Sequence, residues 1–456
     1  MPLKFVLYNL LFAAVYPFLL PGFLLRMLRR GGYAARMGDR FALYPAEVKA
    51  LLGLARPVGV HGKRMEKSDF VWIHAVSVGE VQVAGQLMRE WRAAEPGVRF
   101  CFSTTSSTGW KMAEKEIERS GGGGDVLIYN PLDFPNFVKS ALKTVRPRAI
   151  VLTESEIWPN FILTAKKYGI PTYLVNARVS DRSAPRYRAA RFFFGDVLSA
   201  FARIFAQSDL DKARLVAAGA PAECVDVTGS FKFDVARRNP EKEAELSAWM
   251  FGPSGRPAGV RVLLGGSTWP GEDEVLLKTY RALVDRAAGG ALPRLVLAPR
   301  HFEKADAVEA NIRAAGFGCV RRSRGERPSS APQTPEVLLA DTTGELMGLY
   351  GLADAVFVGK SLCAHGSQNM IEPCLCGKPT FVGPYTENFR PVMSDLLESE
   401  AIVQVKDAAE LEARLLAALS PEGADESARL AARVTAAVER RRGVVAKCVA
   451  AIRRSL

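Results

Sequence analysis

Two carboxylate sites, each placed straight after an apolar run, are the parts of this chain best suited to moving a proton. Val71–Val76 ends in the small-residue turn Ser77-Val78-Gly79, and Glu80 follows where a helical pattern begins. A carboxylate in a first helical turn is held ionised by the helix dipole, ready to accept a proton as a general base. Service to the dipole alone is the other reading of such an acid. The pattern repeats at Glu154 and Glu156, which follow Ala149–Thr153, with Trp158-Pro159 setting the entry to the next helix. Direct catalysis and an ion pair to Arg178 or Arg182 are both open to this second site. His74, inside the first run, is a packing or orienting residue.

Cations stand at the same edge. Asn176-Ala177-Arg178 closes the run Thr172–Val175, and Lys232 follows Val225–Val227, although solvated surface charge is the plain alternative for both. The second half of the chain supplies groups suited to an anion. Gly265-Gly266-Ser267-Thr268 is a glycine-rich turn of the kind that lets backbone N–H groups approach a phosphate. Arg300 and His301 end the run Arg294–Ala298. In His365-Gly366-Ser367-Gln368-Asn369-Met370-Ile371-Glu372-Pro373, a helix starting near Asn369 puts Asn369 and Glu372 on one face and aims free N–H groups at an anion. An acid able to accept two vicinal hydroxyls beside such a helix start suits a nucleotide sugar; a capping box is the structural alternative.

These residues need elements to hold them. From about residue 70, β-branched runs alternate with helical patterns, the signature of a parallel sheet covered by helices. Strands are expected at Val71–Val76, Arg99–Ser103, Val126–Tyr129, Ala149–Thr153, Thr172–Val175, Arg203–Ala206 and Val225–Val227. A second series is expected at Arg261–Leu264, Arg294–Ala298, Val337–Ala340, Ala355–Val358, Thr380–Val382 and Ile402–Val405. The fold class is therefore α/β, with two Rossmann-like domains facing a cleft. Their spans are 41–236 and 259–425, joined by a linker at 237–258 and followed by a C-terminal helix at 426–456. Ligands in such sheets bind outside the carboxyl ends of the strands. Gly121–Gly124 and 321–335 read as surface loops.

Residues 5–25 carry no charge and run about the 20 residues needed to cross a bilayer, and Arg26, Arg29, Arg30, Arg36 and Arg40 follow. The segment 1–40 is read as a membrane anchor with a basic juxtamembrane stretch, its arginines on the cytoplasmic side. Pro17 and Pro21 leave an interfacial helix as tenable as a straight span. The 61 Lys and Arg against 48 Asp and Glu give a net charge of +13, which calls for an anionic partner. Seven scattered cysteines without a C-x-x-C pair indicate a reducing compartment, and no zinc-ligand spacing is present.

Taken in order, HAVSVGE (His74 to Glu80), TESEIWPN (Thr153 to Asn160), NARVSDRS (Asn176 to Ser183), GSFKFD (Gly229 to Asp234), PRH (Pro299 to His301), GELMGLYGLAD (Gly344 to Asp354) and HGSQNMIEP (His365 to Pro373) resemble the Kdo transferase family of lipid A biosynthesis. The resemblance covers nearly the whole chain. It implies a GT-B glycosyltransferase that moves the acidic sugar Kdo from its cytidine monophosphate ester, CMP-Kdo, to a lipid A precursor, without metal or cofactor. By the same match Glu80 is the general base and Glu154 is also needed. Arg300, Asn369 and Glu372 hold the nucleotide, with Lys232 and Gly266 nearby. Ser77, Gly79, Arg178, Ser267, His301 and Gly366 complete the expected substrate-binding set. The chain departs from the family at Gly366-Ser367-Gln368-Asn369, where relatives read Gly-Gly-His-Asn.

The implied setting is the cytoplasmic face of the inner membrane. Both substrates are anionic, so the positive charge needs no nucleic acid to explain it. Two other readings share parts of the pattern. A GT-B-fold nucleotide-sugar epimerase would need no anchor, and a non-catalytic membrane-tethered nucleotide-binding protein would need neither Glu80 nor Glu154.

Overall fold

The structure is a computed structural model that describes residues 2–30, 34–53, 67–235, 238–287, 290–329 and 335–456. It divides into two compact units, Met1–Val235 with Gly443–Leu456, and Ala236–Arg442.

The first unit is built on seven strands: β1 Phe70–His74, β2 Arg99–Thr104, β3 Val126–Tyr129, β4 Ala149–Thr153, β5 Thr172–Ala177, β6 Arg203–Ala206 and β7 Val225–Val227. Their order is β3-β2-β1-β4-β5-β6-β7, with every pairing parallel. Every residue of β1 is buried, as a central parallel strand with helices on both faces requires. Its side chains alternate between two apolar layers: Phe70 and Trp72 pack with Ile128, Leu142 and Ile150, while Val71 and Ile73 pack with Val81, Leu87 and Trp91. The strand order reverses between β1 and β4. A crevice opens at such a point because the connections on either side leave in opposite directions.

The second unit repeats the design with β8 Val262–Thr268, β9 Arg294–Pro299, β10 Gly318–Arg321, β11 Glu336–Leu339, β12 Ala355–Val358, β13 Thr380–Val382 and β14 Val403–Gln404, again all parallel. Their order is β10-β11-β9-β8-β12-β13-β14, so the reversal falls between β8 and β12.

The structure redraws several expected boundaries. The strand expected to reach Val76 ends at His74, and β8 runs on through the glycine pair to Thr268. Gly318–Arg321 is a strand the sequence pattern did not reveal, because its four residues carry only two apolar side chains. The stretch expected to be a loose loop from 321 is tied down at its start: Arg321 pairs with Asp341 at 2.5 Å and Arg322 with Glu345 at 3.0 Å. Residues 330–334 lie outside the described residues, as does the expected domain boundary at 236–237. The expected linker contains a helix, Pro240–Phe251, whose Leu246, Trp249 and Met250 recur at helical spacing and are buried in the second unit.

The expected single C-terminal helix is two, Ala424–Glu439 and Val444–Arg454, broken at Gly443, which adopts a left-handed φ of 79°. The second belongs to the first unit: Val445, Cys448, Val449 and Ile452 join the layer under Val71 and Ile73. Asp234 fixes its start by accepting from Gly443 N at 2.7 Å and Val445 N at 2.8 Å.

Leu3–Arg30 forms a helix; among the described residues no helix is long and apolar enough to cross a membrane. One face is docked on the first unit. Phe5 and Tyr8 pack on Phe193, Phe12 and Tyr16 pack on Phe134, and Tyr8 donates a hydrogen bond to Asp133. The opposite face leaves Leu3, Val6, Leu7, Leu10, Leu11, Val15 and Phe18 exposed. The side chains of Arg26, Arg29 and Arg30 lie outside the described residues.

Candidate functional site

Both reversal points carry the expected residues. At the first, Ser77 caps the helix Val78–Ala94, its hydroxyl accepting from Glu80 N at 3.2 Å and donating to Glu80 Oε1 at 2.8 Å. Val76 N donates to Glu80 Oε2 at 3.0 Å, and Thr153 Oγ1, at the end of β4, lies 3.2 Å from the same oxygen. The capping geometry and a reactive geometry therefore coexist in one side chain. Burial raises the Glu80 pKa above the ordinary carboxylate value; the Val76 N–H and Ser77 hydroxyl oppose this, and the charges of Glu156 and Glu154 add to it. The expectation that the helix dipole simply holds this acid ionised is corrected: desolvation outweighs the stabilising donors, which makes Glu80 a stronger base.

Glu154 is buried and adopts a left-handed φ of 51°. A non-glycine residue there carries backbone strain, the kind that gathers at functional sites. Its carboxylate accepts from Arg178 Nε at 2.8 Å and from Asn176 Nδ2 at 3.4 Å, so the ion-pair reading of this acid is realised. Asn176 is itself left-handed at φ 53° and accepts from Phe231 N at 3.0 Å. That bond draws the Ser230–Asp234 segment, with Lys232 opening a short helix, to the end of β5. Ser77, Gly79, Glu80, Glu154, Arg178 and Lys232 are thus brought to one edge of one sheet.

Two residues at this edge, Thr153 and Asn176, were not singled out as functional groups, and Glu156, read together with Glu154, has a partner of its own. Thr153 reaches Glu80 from the neighbouring strand. Glu156 lies 3.5 Å from His74 Nε2, and His74 Nδ1 lies 2.9 Å from Ser103 Oγ. Burial pushes the Glu156 pKa up, but the bonds from His74 and Trp158 outweigh it and leave the pKa low. Asn176 ties Glu154 to the Lys232 segment. A polar residue closing an apolar strand is the signal that finds Thr153 and Asn176.

In the second unit, a Cβ on Gly265 would sit 2.5 Å from Leu276 Cδ1, and one on Gly266 would sit 2.5 Å from the Tyr350 hydroxyl. The glycine pair is therefore demanded by packing as well as by any phosphate. Ser267 follows with a left-handed φ of 54°. Arg300 is exposed, and its N–H donates to Thr268 O at 3.1 Å, which ties the end of β9 to that of β8. His301 stacks edge-on against Trp269 at 4.9 Å, and Lys360 Nζ lies 5.2 Å from the centre of the same ring. Asn369 Oδ1 accepts from Ile371 N at 3.1 Å and its amide donates to Glu372 at 3.0 Å. This is the capping alternative. The helix, Ile371–Leu375, is only five residues long, so it lacks the dipole expected of a longer one. Gly366, at φ 110°, faces Asn388, which leaves no room for a Cβ.

A family model described as 3-deoxy-D-manno-octulosonic-acid transferase (kdotransferase) matches residues 35–235. The 3-deoxy-D-manno-octulosonic acid transferase of Bordetella pertussis is 36% identical over 339 residues, covering 74% of this chain and 76% of that protein. The corresponding protein of Haemophilus influenzae is 32% identical over 349 residues, covering 76% and 78%. Among solved structures, the UDP-GlcNAc 2-epimerase of Neisseria meningitidis aligns with a TM-score of 0.56 at 13% identity, over 83% of this chain and all 100% of that one. Anabaena HepE in complex with UDP aligns with a TM-score of 0.55 at 13% identity, over 86% and 100%. At that identity the structural likeness speaks for the architecture of paired α/β units alone.

Proposed function

This chain belongs to the 3-deoxy-D-manno-octulosonic acid (Kdo) transferase family, and from that premise we propose that it transfers Kdo from CMP-Kdo to a lipid A precursor in lipopolysaccharide biosynthesis. The observation that carries the mechanism is Glu80, a carboxylate held by Val76 N–H and Ser77 at the reversal point of the first sheet, with its proton affinity raised by burial. Glu80 takes the proton of an acceptor hydroxyl as that oxygen attacks the anomeric carbon of Kdo. The bond to the phosphate oxygen breaks, its electron pair leaves with CMP, and the configuration inverts. Arg178, oriented by Glu154, and Lys232 on the same edge offer positive charge to the acidic sugar, while Ser77 and Gly79 form the turn that receives the acceptor.

The donor's nucleotide falls to Gly266, Ser267, Arg300, His301, Gly366, Asn369 and Glu372. A monophosphate leaving group is matched by the Arg300 guanidinium and backbone N–H donors, so no divalent ion is required of the site. Full transfer in the presence of chelator is expected; strict dependence on added magnesium would overturn the metal-free step. Glu80→Gln is expected to fold and bind CMP like the wild type and to lose turnover by about 10²–10⁴-fold. Wild-type turnover in that variant would remove Glu80 from the base role.

The exposed apolar face of Leu3–Arg30 supports docking on a membrane, and the net charge of +13 favours an anionic surface such as the cytoplasmic leaflet of the inner membrane. Leu7→Glu with Leu10→Glu should abolish co-sedimentation with anionic phospholipid vesicles and leave turnover of a soluble acceptor analogue intact. Unchanged sedimentation would refute the docking face.

A further inference from the structure

We propose that Glu272, which the catalytic reading does not use, is a positioning residue for the donor: its carboxylate clamps together the two loops that carry the donor-binding groups of the second unit. The proposal rests on the reading that this unit binds the CMP part of the donor.

Glu272 opens the helix Glu272–Arg286 and is fully buried. A buried carboxylate is ordinarily neutralised by a cation; among the described residues no Lys or Arg pairs with this one. Five backbone N–H groups take that place. Trp269 N at 2.8 Å and Lys360 N at 2.9 Å donate to Oε2. Ser361 N and Leu362 N, both at 3.1 Å, and Cys363 N at 3.5 Å donate to Oε1. Trp269 belongs to the loop after β8 and residues 360–363 to the loop after β12, the two strands that flank the reversal point.

The clamp propagates to the expected donor contacts. Lys360 O accepts from Ser367 N at 2.8 Å and Gly359 O from Gln368 N at 3.1 Å, so the arc that Glu272 grips also fixes the approach to Asn369. The arc is tightly drawn: Lys360 and Ser367 are both left-handed, and a Cβ on Gly359 would lie 2.3 Å from Ser267 O. Successive N–H groups curled around one anion form a nest, and here the protein's own carboxylate fills it. An acid at this site therefore serves the shape of the loops rather than the reaction.

The chemistry asks for a carboxylate in particular. Both oxygens accept from more than one N–H, so an amide in place of the acid turns its own NH₂ donors against backbone donors. Aspartate keeps the charge and falls short by one methylene. In full-length protein, Glu272→Gln is expected to raise the KM for CMP-Kdo and the Kd for CMP by about tenfold, with kcat held within about threefold and the acceptor KM unchanged. Hydrogen exchange at the amides of residues 360–363 should accelerate in the same variant, and Glu272→Asp should fall between it and the wild type in both measurements.

Unchanged CMP affinity with unchanged exchange in Glu272→Gln would overturn the proposal. Equal losses in donor KM, acceptor KM and kcat, tracking a fall in Tm, would overturn it in favour of a purely structural acid. Should Glu272→Gln fail to fold, Glu272→Asp decides: a selective rise in donor KM supports the clamp, and wild-type kinetics and exchange refute it. A wild-type protein that transfers Kdo yet binds CMP without protecting residues 359–369 would overturn the clamp alone. One that neither binds CMP nor transfers Kdo would overturn the donor reading beneath it.

Discussion

Both sheets are seven-stranded and parallel with one reversal between neighbouring strands, though their strand orders differ, and they place opposite chemistry at their reversal points. The first gathers carboxylates: Glu80, Glu154 and Glu156 stand at the ends of β1 and β4, and their mutual repulsion helps raise the Glu80 pKa. The second shows cations outward, with Arg300 and Lys360 at its loops, and hides its acid, Glu272, in a nest of backbone donors. Glu80, with three donors, is driven toward the proton by burial and its acidic neighbours, while Glu272 spends its two oxygens on five N–H groups that join two loops. What separates a base from a clamp is this local setting, which topology does not dictate.

Breaking the acidic edge should cost most. Glu154→Gly removes the partner of Arg178 at a φ that glycine adopts without strain, so turnover should fall by about 10²-fold while Tm holds or rises. A loss of Tm in step with activity would demote Glu154 to a structural ion pair. On the basic edge, Arg300→Ala should weaken CMP binding by about tenfold and leave kcat at saturating donor nearly intact. Calorimetric titration with CMP would reveal whether the phosphate depends on this side chain.

Two smaller substitutions sharpen the account of Glu80 because they act in opposite directions. Activity requires Glu80 ionised, so kcat/KM falls as pH drops through its raised pKa. Ser77→Ala removes a donor that favours the charged form, and the acid limb of the profile should move to higher pH. Glu156→Gln removes a repelling charge, and the limb should move to lower pH. Shifts of the same sign in both variants would mean that another group controls the limb.

Much of this was legible in the sequence, and the parts that were not share a cause. Uninterrupted apolar runs such as Ala149–Thr153 and Ala355–Val358 read directly as buried parallel strands because hydrophobic periodicity is a local signal. Glu80 and Glu154 stood out because each ends such a run. Gly318–Arg321 did not, since a strand of four residues at a sheet edge needs little apolar surface. Glu272 is one of three acids in a first helical turn, Glu272, Asp273 and Glu274, and four of its five donors come from some ninety residues downstream. The return of Val444–Arg454 to the first unit is equally non-local, and helical spacing in the tail said nothing of which sheet would receive it. The apolar N-terminal run did not reveal that its helix packs on Phe134 and Phe193, because composition does not show which face a helix buries on its own protein.

That docked helix offers the mildest test of the same contrast. Asp133, fully buried, accepts from Tyr8 Oη at 3.1 Å, Asn160 N at 3.0 Å and Phe161 N at 2.9 Å. It thereby caps the helix Pro159–Lys167, just after the loop that carries Glu154 and Glu156, and pins Leu3–Arg30 to it. Burial lifts its pKa from 3.8 to about 7 despite these donors. Because the folded pKa exceeds the unfolded one, the native state binds the extra proton between those limits. The stability it contributes is present in full below the lower value and is lost as pH rises toward the upper one. The Tm of the wild type should therefore carry a component that declines from about pH 4 to about pH 7. Asp133→Asn, which keeps the shape without the titrating proton, should flatten that component. An identical slope in the variant would assign the decline to other carboxylates.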